Sequence, residues 1–327
     1  MGPYWSPSSV GGFLLDWDGV IADTKLDFSG VREKYYGGRR AMLLEEAHTL
    51  PPETRKALYR DLRELEMSGA EKAAPVPGAF ELISWLTESG TPYCVLSRNC
   101  MEVIERGAEV IGLTLPEYVW GRDNMEFVKP DPRALLSAAE KIGAAPRSCL
   151  YIGDFLYDLQ GARRAGMRAV LVQRENAAWA CWADAVYPKM TDFVSAVKNK
   201  EELVPWEYRE IFAEKGALWL KGAFSCALAL PERPLPDACA WLARAAALGV
   251  GSFYVDPQKI LTPDDWKRNP SFDTALMGLS WRDAASRFLS PRFPLARISV
   301  ERGGALSAPA EASELKGFME GKVRGDG

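Results

Sequence analysis

Four short apolar runs, separated by stretches of helical periodicity, constrain the fold of this chain more than any other feature. The runs cover residues 13–15, 93–96, 150–152 and 169–172. Strands that are apolar on both faces are typical of a parallel sheet covered by helices on both sides. Their alternation with helical stretches is the pattern of repeated βαβ units. Residues 12 to about 199 are therefore predicted to form an α/β domain with a Rossmann-like parallel sheet.

The segment between the first run and Pro77 has the pattern of an inserted helical cap. Leu58, Leu62 and Leu65 follow one another at the spacing of one helical face, after two prolines that suit a helix start. The chain has 327 residues, a length that predicts two domains. The predicted first domain is residues 1–199, with its core at 1–23 and 77–199 and its cap at 24–76.

A solvated charge run near residue 200 marks the start of a second domain, residues 200–327. Residues 217–230 are predicted to form one long or two short strands, and another strand is predicted at 296–300. Residues after about 303 are rich in Gly, Ala and charged side chains, and a frayed tail is predicted there. The second domain is predicted to be a small α+β unit, and none of its motifs indicates a function.

Composition and charge argue against several classes of function. The net charge is −4 and no run of five basic residues occurs, so the basic surface that nucleic-acid binding needs is missing. No apolar run approaches the ~20 residues that span a bilayer, and the first residues lack a secretory-signal pattern. A single histidine, His48, excludes His-rich metal sites and argues against a Ser–His–Asp hydrolase; the six cysteines form no CxxC pair. We expect a soluble, cytoplasmic protein that binds neither nucleic acid nor membranes.

The first polar motif is Asp16-Trp17-Asp18-Gly19, directly after the first apolar run. Side chains repeat with period two along a β-like backbone, so Asp16 and Asp18 point the same way. Gly19 allows a sharp turn where a side chain would clash. The same residues would also suit an Asx-turn that ends a strand.

Two further polar residues follow predicted strands or begin helices. Ser97 directly follows the second run, and its hydroxyl with the following backbone N–H groups could hold a phosphoryl oxygen. Lys129 precedes Pro130, which restricts it to extended backbone, so its ammonium is a fixed point charge for a carboxylate or phosphate. Taken singly, Ser97 would suit a helix N-cap and Lys129 a surface lysine.

The last motif, Gly153-Asp154 followed by Asp158, places two carboxylates at the corner where a strand enters a helix. Hard oxygen ligands of this kind suit Mg²⁺, which takes a few carboxylates together with substrate phosphate and water. Acidic residues that complement a helix dipole would give the same pattern. Open α/β sheets place their ligand crevice at the carboxyl ends of the strands, where all these motifs are predicted to lie.

The order of these motifs resembles the haloacid dehalogenase superfamily of phosphotransferases. DxDG at Asp16, then Ser97, then Lys129-Pro130, then GDxxxD at Asp154 follow one another with room for a cap between the first and the second. The resemblance covers residues 12 to 199 and is greatest to phosphoglycolate-phosphatase-like members. It implies an enzyme, a phosphoric monoester hydrolase that acts on a small phosphorylated metabolite.

The resemblance also implies roles for individual residues. Asp16 would be the nucleophile that becomes an aspartyl-phosphate, and Asp18 the general acid and base. Mg²⁺ would be held by the Asp16 side chain, the Asp18 backbone carbonyl and Asp154. Asp158 would orient Lys129 or a water bound to the metal. The phosphate-binding residues implied are Ser97, Arg98 and Lys129.

Substrate choice in this superfamily depends largely on the cap, which directs attention to Arg39 and Arg40 beside Gly37-Gly38. Cationic groups there would favour a substrate with a carboxylate or a second phosphate. Side chains that merely solvate helix faces would explain these arginines equally well.

Two alternatives stay open at this point. True haloacid dehalogenases lack an acid at the position of Asp18, but a phosphohexose mutase shares all four motifs. The second alternative is a phosphatase domain that serves a binding or regulatory module in residues 200–327, where five tryptophans would form a compact core or an exposed aromatic surface.

Overall fold

A computed structural model describes residues 2–175, 177–231, 235–268, 273–299 and 301–324, with the backbone alone at 236, 237, 266, 268 and 324. The chain forms two compact units, Ser6–Glu201 and Met1–Trp5 with Glu202–Gly327. The residues before Ser6 belong with the C-terminal unit because Trp5 and Leu203 exchange backbone hydrogen bonds of 3.0 and 2.8 Å.

The N-terminal unit is built on a parallel sheet, as the sequence predicts, and this sheet has six strands. The strand order is β5-β4-β1-β6-β7-β8, so β1 lies in the interior of the sheet, where Leu14 pairs with Cys94 on one side and with Tyr151 on the other. The sheet strands are β1 (Gly12–Leu15), β4 (Tyr93–Leu96), β5 (Val119–Trp120), β6 (Cys149–Gly153), β7 (Arg168–Val172) and β8 (Ala185–Tyr187), and the short strands β2 (Ala22–Asp23) and β3 (Ala74–Pro75) pair with each other outside the sheet.

The strands run almost wholly buried because helices cover them. All four residues of β1 and all five of β6 are buried. Amphipathic helices supply the cover; Ala134, Leu135 and Ala138, for example, form the buried face of one of them. The helices of this unit outside the cap are α3 (Ala79–Glu88), α4 (Met101–Ile111), α5 (Pro132–Lys141), α6 (Leu156–Arg164) and α7 (Met190–Lys198).

The predicted helical cap is connected to the sheet domain by β2 and β3, which pair with each other. It contains α1 (Ser29–Tyr36) and α2 (Pro52–Ala70), which has a proline at its first position. Leu58 and Leu62 of α2 are buried in a small core with Val31 and Leu43. The cap therefore has a hydrophobic core of its own.

The C-terminal unit contains a four-stranded parallel sheet with the order β11-β10-β9-β12 and helices beside it. Its core is apolar and includes Trp241, which is 1% exposed, and Phe253, which is fully buried. The elements are β9 (Ala227–Ala229), β10 (Ser252–Tyr254), β11 (Arg297–Ser299), β12 (Leu306–Ser307), α8 (Arg209–Phe224), α9 (Leu235–Ala247), α10 (Pro263–Arg268), α11 (Trp281–Leu289) and α12 (Leu315–Arg324).

Two predictions for this unit are wrong. The first half of the strand predicted at 217–230 is the end of α8, because Trp219, Leu220 and Ala223 pack from one helical face into the core; β9 begins at Ala227. The described part of the predicted frayed tail, up to residue 324, is ordered, because Leu315 and Met319 of α12 are fully buried in the same core. The last residue of the strand predicted at 296–300, Val300, lies outside the described residues.

Among the described residues, no helix combines the length and the apolar character needed to cross a membrane. The cytoplasmic location stays a prediction.

Candidate active site

A buried lysine joins two carboxylates at the carboxyl end of β1. The Nζ of Lys129 lies 2.7 Å from Oδ1 of Asp16 and 2.8 Å from Oδ1 of Asp158. It also donates to the hydroxyl of Tyr151 at 2.6 Å, and that hydroxyl donates to the carbonyl of Leu96 at 3.0 Å. Lys129 is 1% exposed, so all three donors of its ammonium are directed by fixed partners.

Asp18 lies in the same cavity, but its carboxylate has different partners from that of Asp16. One oxygen accepts a hydrogen bond from the hydroxyl of Thr24, and the other accepts one from the side-chain amide of Asn99 at 2.8 Å. The two aspartates of the first motif are thus held by separate parts of the chain. Their carboxylates are available for separate tasks.

Asp154 completes a group of three acidic side chains. Carboxylate oxygens of Asp16, Asp154 and Asp158 all lie within 4.8 Å of one another. Gly19 makes this approach feasible, because it has a φ of +71° and a Cβ there would lie 2.5 Å from Oδ2 of Asp154. That oxygen accepts a hydrogen bond from Arg174 at 2.8 Å.

Burial and mutual repulsion govern the electrostatics of this acidic group. Burial, helped by the charge of Asp158, raises the pKa of Asp16 well above its usual range. The same causes raise the pKa of Asp154 to about 6, although Arg174 opposes them. Burial alone would lower the pKa of Lys129, but Asp158 and Asp16 outweigh it and raise that pKa. Lys129 and Arg174 carry two positive charges against the carboxylates of Asp16, Asp154 and Asp158, so a divalent cation beside Asp16 and Asp154 would relieve the remaining repulsion. The donor set fits Mg²⁺, which prefers carboxylate oxygens.

Ser97 lies at the end of the neighbouring strand β4. Its N–H donates to the carbonyl of Trp120 at 2.9 Å, and its Oγ accepts from the N–H of Asn99 at 3.1 Å. The residue is 3% exposed and lines the cavity together with Asp16, Asp18 and Asp154. Lys129 and Asp158 are not part of this lining. Lys129 contacts both Asp158 and Asp16, and Asp16 faces the cavity.

The cavity has a volume of about 590 Å³ and lies between the sheet and the cap. Two ion pairs join the cap to the sheet domain at its edge. Arg98 bonds both oxygens of Glu45, at 2.6 and 3.0 Å, and also donates to the carbonyl of Lys129. Arg122 donates to both oxygens of Glu66 at 2.7 Å and to the carbonyl of Arg98 at 2.9 Å.

Three residues named from the sequence have surroundings that the sequence did not predict. Arg98 lines the cavity, and its guanidinium is held by Glu45, so it joins the cap to the sheet domain. Its phosphate-binding role stays a prediction. Arg39 and Arg40 are exposed and outside the cavity lining, and Arg39 pairs with Glu46 at 2.5 Å. A loop of Gly37-Gly38 turns this segment away at the end of α1, where Gly37 has a φ of +59°.

Four residues of the site were not identified from the sequence: Thr24, Asn99, Tyr151 and Arg174. Asn99 follows Ser97 at the period-two spacing that made Asp18 conspicuous after Asp16, and Tyr151 is a polar aromatic within an apolar run. Arg174 stands two residues after the run 169–172, at the carboxyl end of β7, so the position of that strand end could have indicated it. Thr24 carries no comparable sequence signal.

The fold and the site define an α/β protein with a buried carboxylate–lysine centre beneath a helical cap. A model of the haloacid dehalogenase-like hydrolase family matches residues 31–172. The chain is 31% identical over 184 residues to phosphoglycolate phosphatase from Xanthomonas campestris pv. campestris (strain 8004), covering 48% of this chain and 80% of that protein. It is 28% identical over 116 residues to hexitol phosphatase A from Escherichia coli (strain K12), covering 36% of this chain and about half, 54%, of that protein.

A solved structure shows the same fold. The crystal structure of a hydrolase from Pseudomonas syringae superposes with a TM-score of 0.51 at 21% identity, covering 58% of this chain and 98% of that one. The chain belongs to the haloacid dehalogenase-like hydrolase family. Its named relatives are phosphatases, in agreement with the resemblance that the sequence motifs carry.

Proposed function

We propose that the chain is a Mg²⁺-dependent phosphomonoester hydrolase that acts on a small phosphorylated metabolite through an aspartyl-phosphate. The observation that carries the proposal is the contact of the Lys129 ammonium with both Asp16 and Asp158, beside Asp154. A nucleophilic carboxylate in contact with a fixed cation is suited to attack on a phosphoryl group, because such transfer depends mainly on positioning and charge stabilisation.

Asp16 would supply the attacking oxygen. Its Oδ1 accepts from Lys129 and from the N–H of Trp17, while Oδ2 has no hydrogen bond among the described residues. Attack by Oδ2 forms the bond to phosphorus, and the bond from phosphorus to the alcohol oxygen breaks with its electron pair leaving on that oxygen. Lys129 keeps the carboxylate oriented during this step, and Ser97 can donate to a phosphoryl oxygen.

Asp18 would deliver the proton that the leaving alkoxide needs. Burial raises the pKa of Asp18 despite the hydrogen bonds from Thr24 and Asn99, which increases its protonated fraction. After the alcohol departs, the Asp18 carboxylate can take a proton from water as that water attacks phosphorus and releases Asp16. A cation held by Asp16, Asp154 and the Asp18 carbonyl would neutralise phosphoryl charge.

The test is release of inorganic phosphate from a panel of phosphorylated metabolites by the full chain. We expect turnover with Mg²⁺ and its loss after chelation, with recovery when Mg²⁺ is returned. The panel includes phosphoglycolate and hexitol phosphates, the substrates after which the two relatives are named. Undiminished turnover after thorough chelation would contradict the metal requirement, and no turnover on any ester would contradict hydrolase activity.

A second assay separates hydrolysis from the mutase alternative. The chain is incubated with a hexose 1-phosphate and a trace of the bisphosphate, and free phosphate and the 6-phosphate isomer are both measured. A hydrolase releases phosphate faster than it forms the isomer. Faster accumulation of the isomer would identify a mutase.

A further inference from the structure

The cap side of the cavity is mainly apolar. A carbon body bound there would contact aliphatic and aromatic carbon, whereas the sheet side presents Asp16, Ser97 and Asp154 to the phosphoryl group. The apolar lining residues contributed by the cap are Leu26, Phe28, Ala41, Leu43, Leu44 and Leu62. With about 590 Å³ available, the cavity accommodates a substrate with several carbon atoms beyond its phosphoryl group.

Two cationic side chains of the cap interrupt the apolar lining: Lys25, which is exposed, and Arg32, which is partly buried. Arg32 lies on α1 and lines the cavity. The other arginines of the lining are engaged, Arg98 by Glu45 and Arg174 by Asp154. Arg32 forms no ion pair among the described residues, and its Nε is buried without a hydrogen-bond partner. Buried donors are nearly always paired, so an unpaired one in a cavity wall calls for a ligand that accepts from it.

Two neighbours of Arg32, Asp27 and Phe28, leave its Nε without a hydrogen-bond acceptor. Asp27 is close enough to feel its charge, but the Asp27 carboxylate accepts from the N–H and the hydroxyl of Ser29, at 2.9 and 2.8 Å. The ring of Phe28 lies 5.9 Å from the Arg32 guanidinium carbon and contributes only its π-face. Within the described part of the chain, the guanidinium thus has an N–H donor without an acceptor on the cap side of the cavity.

We propose that Arg32 determines substrate choice by binding an anionic group at the end of the substrate remote from the transferred phosphoryl, with the carbon body between them against the apolar cap residues. The inference rests on the proposed hydrolase function and names its substrate class: phosphomonoesters of short ω-hydroxy acids. The planar guanidinium fork suits a carboxylate, which it can bind with two parallel hydrogen bonds. Arg32 takes the role that the sequence suggested for Arg39 and Arg40.

The test compares two esters that differ in charge alone, the phosphate esters of γ-hydroxybutyrate and of γ-hydroxybutyramide. For the unmodified chain we expect kcat/KM to favour the acid by about 10–100-fold, the range for a charge-assisted hydrogen bond. Arg32→Gln should bring this ratio close to one, mainly through a higher KM for the acid, as loss of uniform binding does. Arg32→Lys, which keeps the charge but loses the fork, should give an intermediate ratio.

Arg40→Gln is the matched control, because Arg40 is an exposed cap arginine outside the cavity lining. It should leave the ratio unchanged. Two results would overturn the inference and leave the hydrolase proposal standing. One is hydrolysis of both esters by the unmodified chain at equal kcat/KM. The other is an equal loss of kcat/KM for both esters in Arg32→Gln and Arg32→Lys. Absence of hydrolysis of every ester in the larger panel would instead overturn the proposed function.

Discussion

The two units share a construction of parallel strands and flanking helices, yet they bury very different side chains. In the described part of the chain, every buried polar or charged residue lies in the N-terminal unit, and the core of the C-terminal unit is apolar. These residues are Asp16, Thr24, Glu66, Ser97, Asn99, Lys129, Asp154, Asp158 and Asp184.

The N-terminal unit therefore carries the free-energy cost of burying charged side chains, and the described C-terminal core does not. Burying a charge without a partner is expensive, so charged groups are buried where a function or a firm pair retains them. Asp184 is an example of firm pairing, since it accepts from Arg168 and from the N–H of Ala169. The remaining eight either line the cavity or contact a residue that does. The described C-terminal core shows no such set, and a binding or regulatory role for that unit stays a proposal.

The largest effect is expected for Asp16→Asn. The amide cannot form the covalent intermediate, so turnover of every phosphate ester should be abolished while the fold is retained. Phosphate release and circular dichroism measure the two quantities. Glu64→Gln, which changes an exposed acid outside the cavity lining, is the control and should keep full turnover. Substantial turnover by Asp16→Asn would remove the nucleophile from this position.

A smaller effect on turnover is expected for Asp18→Asn. Loss of general acid–base help should slow hydrolysis of alkyl phosphates by about 10²–10⁴-fold. An aryl phosphate with a good leaving group hardly needs the proton, so its rate of hydrolysis should fall much less. The measurement is the ratio of the two decreases in rate. Equal losses for both kinds of ester would show that Asp18 does not protonate the leaving group.

In the C-terminal unit, Trp241→Ala should change stability and leave the chemistry alone. Trp241 packs edge-on against Phe253 and donates from its indole to the carbonyl of Pro309 at 2.8 Å. Its truncation should cost about 3–5 kcal/mol of the free energy of unfolding. Leu218→Ala, at an 86% exposed position, should cost little.

Calorimetry measures the stability of these two C-terminal variants, and phosphate release measures their kcat below their melting temperatures. Unchanged kcat in Trp241→Ala would sharpen the contrast between the two units. A large loss of kcat with the fold intact would break it, and would favour a regulatory role for the C-terminal unit.

The smallest effect concerns the buried cap residue Glu66. Burial raises its pKa from 4.5 to about 7, although Arg122 opposes the shift. The wild-type chain should therefore lose stability as the pH rises from about 4.5 through 7, by up to about 3 kcal/mol, because the unfolded chain ionises first. Glu66→Gln does not titrate, so its free energy of unfolding relative to wild type should increase between pH 5 and pH 8.

Glu64→Gln is the matched control for this pH dependence, since Glu64 is exposed on the same helix. Unfolding is followed at several pH values for each variant and for the wild type. The quantity compared is the slope, against pH, of the difference in the free energy of unfolding. A pH-independent difference for Glu66→Gln would show that Glu66 titrates in its usual range.

Much of the N-terminal unit could be predicted from local pattern. Strands buried on both faces must be apolar along their whole length, so β1, β4, β6 and β7 are visible as runs. Asp16, Ser97 and Asp154 stand directly after three of these strands. Parallel strands bring their carboxyl ends to one edge, which places these residues together without further information.

The C-terminal unit was less predictable because short apolar stretches there fit either a helix or a strand. Trp219, Leu220 and Ala223 form a helical face, but alternation with Leu218 and Lys221 obscures it. Burial in the unit's core decides in favour of the helix. The same burial orders α12, whose composition resembles a frayed end.

The sequence by itself determined the class of the sheet, the presence of the cap and the acidic and serine residues that follow the strands, and its motif order drew attention to Lys129. The tertiary structure decided which charges are paired: Arg98 is engaged by Glu45 and Arg39 by Glu46, whereas the buried Nε of Arg32 has no hydrogen-bond partner among the described residues. The physical reason is that strand and helix periodicity are local properties, whereas the partner of a long cationic side chain depends on residues far away in the chain. Glu45 and Arg98 are 53 positions apart, and no local pattern specifies their contact.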